Sequence, residues 1–269
     1  MAAPSTPNFG RRTALVTGAA RGIGRGIALK LAHEGLNIAI NDIPAKVDEA
    51  SGVLKELEGI TALTGGRASS HLADITSESQ VIEMIEGVVK HHGSLDVMVA
   101  NAGIAQWSSL IESMHLSTPL HTSVEEADKI MAVNIRGVFL CYKYAAKQMI
   151  AQGRGGRIIG ASSVAGKQGY ASLPMYSASK FAVRGLTQAA GESKSFQSAA
   201  RELGRHKITV NAYAPGCIET DMIEFLEEKN VELGNGKAGD IKSTVSQVFL
   251  ICRLPPELIS ANSLPLFPH

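Results

Sequence analysis

Residues 13–24 read TALVTGAARGIG. Five residues of mostly apolar, β-forming character, Thr13–Thr17, run into glycines at 18, 22 and 24, and a helical pattern continues through His33. A strand, a glycine-rich bend and a helix start in this order bring backbone N–H groups and the positive end of a helix dipole toward one point, as a diphosphate requires. Gly18 lets the chain turn sharply, while Gly22 and Gly24 keep side chains out of the approach. The spacing is GxxxGxG and not the commoner GxGxxG. A tight strand-to-helix turn without a ligand would use the same residues, so the bend alone does not decide for a ligand; the order of elements around it does.

Outward from this bend, short β-rich runs alternate with helical stretches. Strands are expected at Asn37–Asn41, Ser70–Ala73, Leu95–Ala100, Arg157–Ser162 and Lys207–Ala212. Helices are expected at Ala45–Glu58, Ser77–His91 (capped by Ser77), Val124–Ala151 and Met175–Leu203. Leu95–Ala100 is apolar almost throughout, as in a strand covered on both faces. The alternation predicts an α/β fold, a doubly wound parallel sheet of Rossmann-like type in a single domain. Its bounds are set at 13–250, after a flexible leader at 1–12 and before an irregular tail at 251–269. Such sheets bind ligands beyond the carboxyl ends of their strands.

The 269 residues suffice for one large core. With 26 basic against 25 acidic residues the net charge is +1, which argues against nucleic acid or an anionic membrane as partner. No apolar run approaches the roughly 20 residues of a membrane span. The polar start lacks the apolar centre of a secretory signal. Cys141, Cys217 and Cys252 are odd in number and widely spaced, which predicts reduced thiols in a cytoplasmic protein and no metal site.

Tyr176 and Lys180 lie four apart on an expected helix and share a face. A free phenol titrates near 10 and is a poor base at neutral pH. A neighbouring ammonium, with the positive ring of an oxidised nicotinamide, is expected to lower that value and make a proton shuttle. Ser162 and Ser163 end a strand, and Ser163 stands 13 residues before Tyr176, where a hydroxyl holds a substrate oxygen. Asn101-Ala102-Gly103 ends another strand. Asn134 sits inside a long helix that asparagine does not favour, which suggests work for its amide, such as holding a water on a proton path. Asp42, just beyond the second strand, suits the adenosine ribose hydroxyls and repels a 2′-phosphate, favouring NAD; Arg21 pulls toward NADP. Asp74 suits an adenine amino group. Asp42 also reads as a cap, and Asp74 as a turn aspartate.

TGAARGIG at 17–24, Asn101-Ala102-Gly103, Asn134, Ser163, Tyr176-Ser177-Ala178-Ser179-Lys180 and Pro215-Gly216 together resemble the short-chain dehydrogenase/reductase family, over Thr13 to Met222. The resemblance implies a nicotinamide-dependent oxidoreductase moving a hydride between cofactor and a secondary alcohol or ketone. It implies that Tyr176 exchanges the hydroxyl proton, Lys180 binds the nicotinamide ribose and lowers the phenol pKa, Ser163 fixes the substrate oxygen and Asn134 supports the proton relay. Ile23 and Asn101 should lie along the cofactor, and Ile218 and Thr220 should touch its carboxamide. Tyr176–Thr187 and Ile208–Gly216 are similar to acetoin/diacetyl reductases and 2,3-butanediol dehydrogenases, and to polyol and secondary-metabolite reductases. Substrate determinants are expected in Ile104–His121, Gln168–Leu173 and Met222–Lys229, with Ile223, Phe225 and Leu226 serving as an apolar lid or as helix core.

Three stretches depart from the family pattern: extra residues near Ser113–His121, an insertion near Gly191–Ser198 expected to break a helix, and a C-terminus without a last strand and glycine-rich close. The family is typically a homo-oligomer, and that last departure removes residues that usually complete the sheet and a subunit interface. An alternative reading is therefore a catalytically impaired, nucleotide-binding homologue with an interaction role.

Overall fold

The computed structural model describes residues 10–108, 110, 122–190, 203–218, 220–232 and 248–250. Its strands are β1 (Thr13–Thr17), β2 (Asn37–Asp42), β3 (Ala68–Leu72), β4 (Val97–Ala100), β5 (Gly156–Ala161), β6 (Ile208–Pro215) and β7 (Val248–Leu250). They form one sheet in the order β3-β2-β1-β4-β5-β6-β7. All neighbours are parallel except β6 and β7, which pair antiparallel with Pro215 opposite Val248. The doubly wound α/β reading holds. β7 is a short antiparallel strand, and the stretch after it, where a last strand and glycine-rich close were not expected, falls in the 251–269 tail outside the described residues.

The helices are α1 (Gly22–His33), α2 (Val47–Thr64), α3 (Glu78–His92), α4 (Val124–Met131), α5 (Val138–Gln152), α6 (Pro174–Ala190) and α7 (Asp221–Glu232). Alternate residues of β1 feed opposite layers. Leu15 packs with Met98, Ile158 and the α3 and α5 residues Val81, Val88 and Met149. Val16 packs with Ile40, Val99 and the α1 and α2 residues Leu31, Val53 and Leu57. With every central strand covered on both faces, apolar side chains are tolerated at each position.

Several local expectations change. Ser77 occupies the N-cap position of α3, but its hydroxyl faces Ser79 Oγ at 3.2 Å and bonds no helix N–H. Ser123, by contrast, forms a reciprocal capping box with Glu126 ahead of α4. The single long helix expected at Val124–Ala151 is interrupted by a π-helical stretch, Ala132–Gly137. The helix expected at Met175–Leu203 is described as α6 up to Ala190, and the break near Gly191–Ser198 lies outside the described residues, as does the Ser113–His121 insertion.

Candidate active site

The chain winds outward from β1 to β3 and then returns to β4 beside β1, so the crevice between those two strand ends is the place where a ligand is not blocked by a crossover. A cavity of about 550 Å³ lies there, with Gly18, Asp42, Asn101, Tyr176, Lys180 and Thr220 among its walls.

At one end stands the glycine bend. Gly18 has φ +62°, and a Cβ on it would come within 2.8 Å of the Ala102 backbone. A Cβ on Gly24 would sit 2.2 Å from the Gly18 carbonyl oxygen. Helix α1 begins without a capping side chain and without an acid in its first turn, which leaves its orphan N–H groups facing outward. Asp42 closes this end. Its Oδ2 accepts from Ala20 N at 3.0 Å and its Oδ1 from Ile43 N at 2.9 Å, so it clamps the bend while also lining the cavity. Asp74 accepts from Thr76 N at 2.8 Å in a turn ahead of α3, and it too lines the cavity. Asp42 therefore braces two turns and caps no helix, and Asp74 is a turn aspartate, while both carboxylates line the cavity. Arg21 reaches across the mouth to an ion pair with Asp221 at the start of α7, both side chains more than half exposed.

At the other end α6 delivers Tyr176 and Lys180 from one face. The Lys180 ammonium donates to Ala161 O at 2.8 Å and lies 5.4 Å from the Tyr176 ring centre. Ser163, after β5, pairs with the Tyr176 phenol and accepts from Ala165 N at 3.1 Å, which fixes its hydroxyl. Burial pushes the phenol above its ordinary value; the Ser163 hydrogen bond opposes this and Cys217 adds to it. In the protein alone desolvation of the phenolate dominates; the expected lowering needs the nicotinamide ring as well as Lys180. Burial likewise takes the Lys180 ammonium down to about 8.

Asn134 lies in the π-helical stretch, fully buried behind the cavity wall. Its Oδ1 accepts from Ile104 N at 2.9 Å, and its Nδ2 donates to Ile104 O at 2.9 Å and Ser179 Oγ at 3.0 Å. Both its hydrogens are taken within the protein, so the amide ties the segment after β4 to α6. Gly103 fits between Asn134 Oδ1 and Lys180 Nζ, each 3.3 Å from where its Cβ would be.

Of the expected residues, Gly18, Arg21, Gly22, Ile23, Gly24, Asp42, Asp74, Asn101, Gly103, Tyr176, Lys180, Pro215 and Thr220 line the cavity. Asn134, Ser163, Gly216 and Ile218 do not. Met222 also lines it, whereas Leu226 is buried as helix core.

Sequence reasoning missed three supports. Thr17 Oγ1 accepts from Asn101 N at 3.0 Å and Ala102 N at 3.1 Å, joining the β1 and β4 bends. Tyr213 on β6 donates its phenol to Asn101 Oδ1 at 2.6 Å, and Asn101 Nδ2 donates in turn to Thr17 O and Gly18 O. Ser179 donates to Tyr176 O at 2.7 Å while receiving Asn134. A phenol in a strand expected to be buried was the available signal for Tyr213, since a buried tyrosine hydroxyl needs a partner.

A family model for short chain dehydrogenases matches residues 12–231. A short-chain dehydrogenase/reductase of Armillaria gallica is 46% identical, over 80% of this chain and 74% of that one. A diacetyl reductase of the (S)-acetoin-forming type from Staphylococcus epidermidis is 37% identical over 82% and 77%. The crystal structure of acetoin dehydrogenase from Salmonella typhimurium superposes with a TM-score of 0.64 at 33% identity, over 78% of this chain and 74% of that one. The chain belongs to the short-chain dehydrogenase/reductase family. Members of this family of oxidoreductases bind NAD(P), and the open α1 start, the two close-approach glycines and the elongated cavity fit such a dinucleotide. No helix among the described residues is long and apolar enough to cross a membrane.

Proposed function

We propose that the protein interconverts a secondary alcohol and its ketone using NAD, with Tyr176 giving its proton to the ketone oxygen and recovering it from the alcohol. The observation that carries this reading is that Tyr176, hydrogen-bonded to Ser163, and Lys180 stand at one end of a cavity whose other end is the glycine bend and Asp42. When bound, the nicotinamide supplies or accepts the hydride. Ser163, its hydroxyl anchored, orients the substrate oxygen at the phenol. Lys180 binds ribose hydroxyls and offsets the cost of a buried phenolate. Asn134 supports the relay by fixing Ile104 and Ser179 around that lysine.

Toward the adenosine, Asp42 takes the ribose hydroxyls and disfavours a 2′-phosphate, and Asp74 receives the adenine amino group. Ile23 and Asn101 flank the dinucleotide; Pro215 and Thr220 form the carboxamide side. The substrate class that the relatives favour is a small hydroxyketone or diketone, as their names state of them. In this reading the 13–250 domain works in the cytoplasm as a homo-oligomer on a small-molecule substrate.

Hydride transfer followed by the absorbance of the reduced nicotinamide tests the proposal, with a substrate panel from diketones through polyols to terpenoid alcohols. Tyr176→Phe should lose roughly 10²-fold or more in turnover with cofactor binding retained. A Phe variant that turns over normally removes the assignment, and cofactor binding with no turnover of any substrate in the unmodified protein supports a non-catalytic role instead.

A further inference from the structure

The opposite end of the sheet, where the parallel strands begin, holds a second cavity of about 360 Å³. Arg11, Arg67, Arg154, His92, Ser94 and Asn37 are among its walls. Three guanidiniums in one small cavity are unusual in a chain of net charge +1. Asp96, ahead of β4, answers one of them. Arg154 grips it through Nε at 2.7 Å and Nη2 at 2.6 Å, and the Asp96 Oδ2 also accepts from Thr13 N at 2.8 Å and Ser94 Oγ at 2.9 Å. That carboxylate has no capacity left for Arg11 or Arg67.

Helices α1, α2 and α3 all end at this edge, at Gly35, Gly65 and Gly93, and cations near helix C-termini offset the carbonyl dipoles. Arg11 serves that purpose, donating to Gly35 O. Two features are not covered by it. Among the described residues no carboxylate or carbonyl engages the Arg67 guanidinium. His92, 5% exposed, shares its Nε2 with Ser69 Oγ at 2.7 Å, and its Nδ1 is buried with no partner in the described protein. A buried polar atom left unpaired is rare and calls for an unseen group.

We propose that this cavity binds a small multivalent oxyanion, a phosphate or a di- or tricarboxylate, between Arg11 and Arg67 with Arg154 behind. Planar guanidiniums present paired donors that match such oxygens. The bound anion also raises the proton affinity of His92, which burial first, and then His91, Arg67 and His71, otherwise hold down. The site lies across the sheet from Tyr176, so it acts on stability and leaves the hydride chemistry alone.

The test uses the full chain, with inorganic phosphate and citrate each compared with chloride at matched ionic strength. Either anion should raise Tm by about 2–4 °C at ten times its Kd. It should also shift the His92 ring titration, followed by NMR, upward by about one pH unit. Arg67→Ala, an exposed position, should weaken binding about tenfold or more with hydride transfer unchanged, and Arg67→Lys should recover part of it. Tighter binding of phosphate or of citrate tells which oxyanion class the cavity takes. The proposal is overturned if both act no differently from chloride. It is equally overturned if the effect persists undiminished in Arg67→Ala, as it would were the anion resting at the start of α1.

Discussion

Tyr213 makes the glycine bend a joint of three strands. Its phenol on β6 holds Asn101 after β4, and Asn101 holds the carbonyls of Thr17 and Gly18 after β1. Burial drives the Tyr213 hydroxyl pKa upward, so it acts as a fixed donor and takes no part in proton exchange. Tyr213→Phe leaves Asn101 Oδ1 without its donor, a loss of about 1–3 kcal/mol where water cannot replace it. The expected outcome is a lower Tm and a several-fold higher KM for the cofactor, with kcat changed much less. Calorimetry and initial rates at saturating substrate check it. A fall in kcat with an unchanged cofactor KM contradicts this positioning role.

Between elements, the Arg21–Asp221 pair joins the bend before α1 to the start of α7 across the cavity mouth. Because both partners are more than half exposed, the pair adds at most about 1 kcal/mol to stability. Its consequence is for selectivity, since an Arg21 held by Asp221 is less available to a 2′-phosphate. Asp221→Ala should leave Tm within a degree or two and raise kcat/KM for NADP relative to NAD; an unchanged ratio shows that Asp42 alone sets the preference. The π-helical stretch is the other device at this scale. It interrupts the α4–α5 run and brings Asn134 against Ile104 and Ser179 at once. Residue propensities hint that an asparagine there is unusual, but they do not report the change in helical pitch, which depends on what packs against it.

For the whole molecule, the two ends of the sheet do different work: the carboxyl ends of the strands form the cleft, and the amino ends carry a buried ionic knot. Arg154 and Asp96 are 17% and 8% exposed and are tied to Ser94 and Thr13. Removing one member strands the other charge, so Asp96→Ala should cost about 3–5 kcal/mol, read as a large drop in the denaturant midpoint. Acid stability follows from His92, which burial lowers from 6.5 to about 4 in the fold. Between those values the unfolded chain takes up a proton that the folded one refuses. The contribution of the neutral ring is therefore intact above pH 6.5, declines as pH falls, and is gone below about 4. Tm should drop by a few degrees from pH 7 to pH 5, and His92→Gln should flatten that slope; an equally steep slope in the variant places the acid sensitivity elsewhere. His71, also lowered by burial and sharing Ser69, adds in the same direction.

The amino-acid sequence by itself determined the doubly wound order, the family and the ends of the cavity, because strand and helix periodicity and short motifs such as Tyr176 to Lys180 are local properties of the chain. It was enough to locate Gly18, Asp42, Tyr176 and Lys180 beside one cleft. Only the tertiary structure decided that Tyr213 supports Asn101 across 112 positions, that Arg21 meets Asp221 across 200, and that Asp96 and Arg154 form a knot with Thr13. It also set the upward push that burial gives the Tyr176 phenol in the protein alone, since how deeply a group is buried is set by neighbours from several strands. The physical reason is the same in each case. Hydrogen-bond partners and desolvation are fixed by which distant segments the sheet brings into contact, and no local pattern encodes that distance.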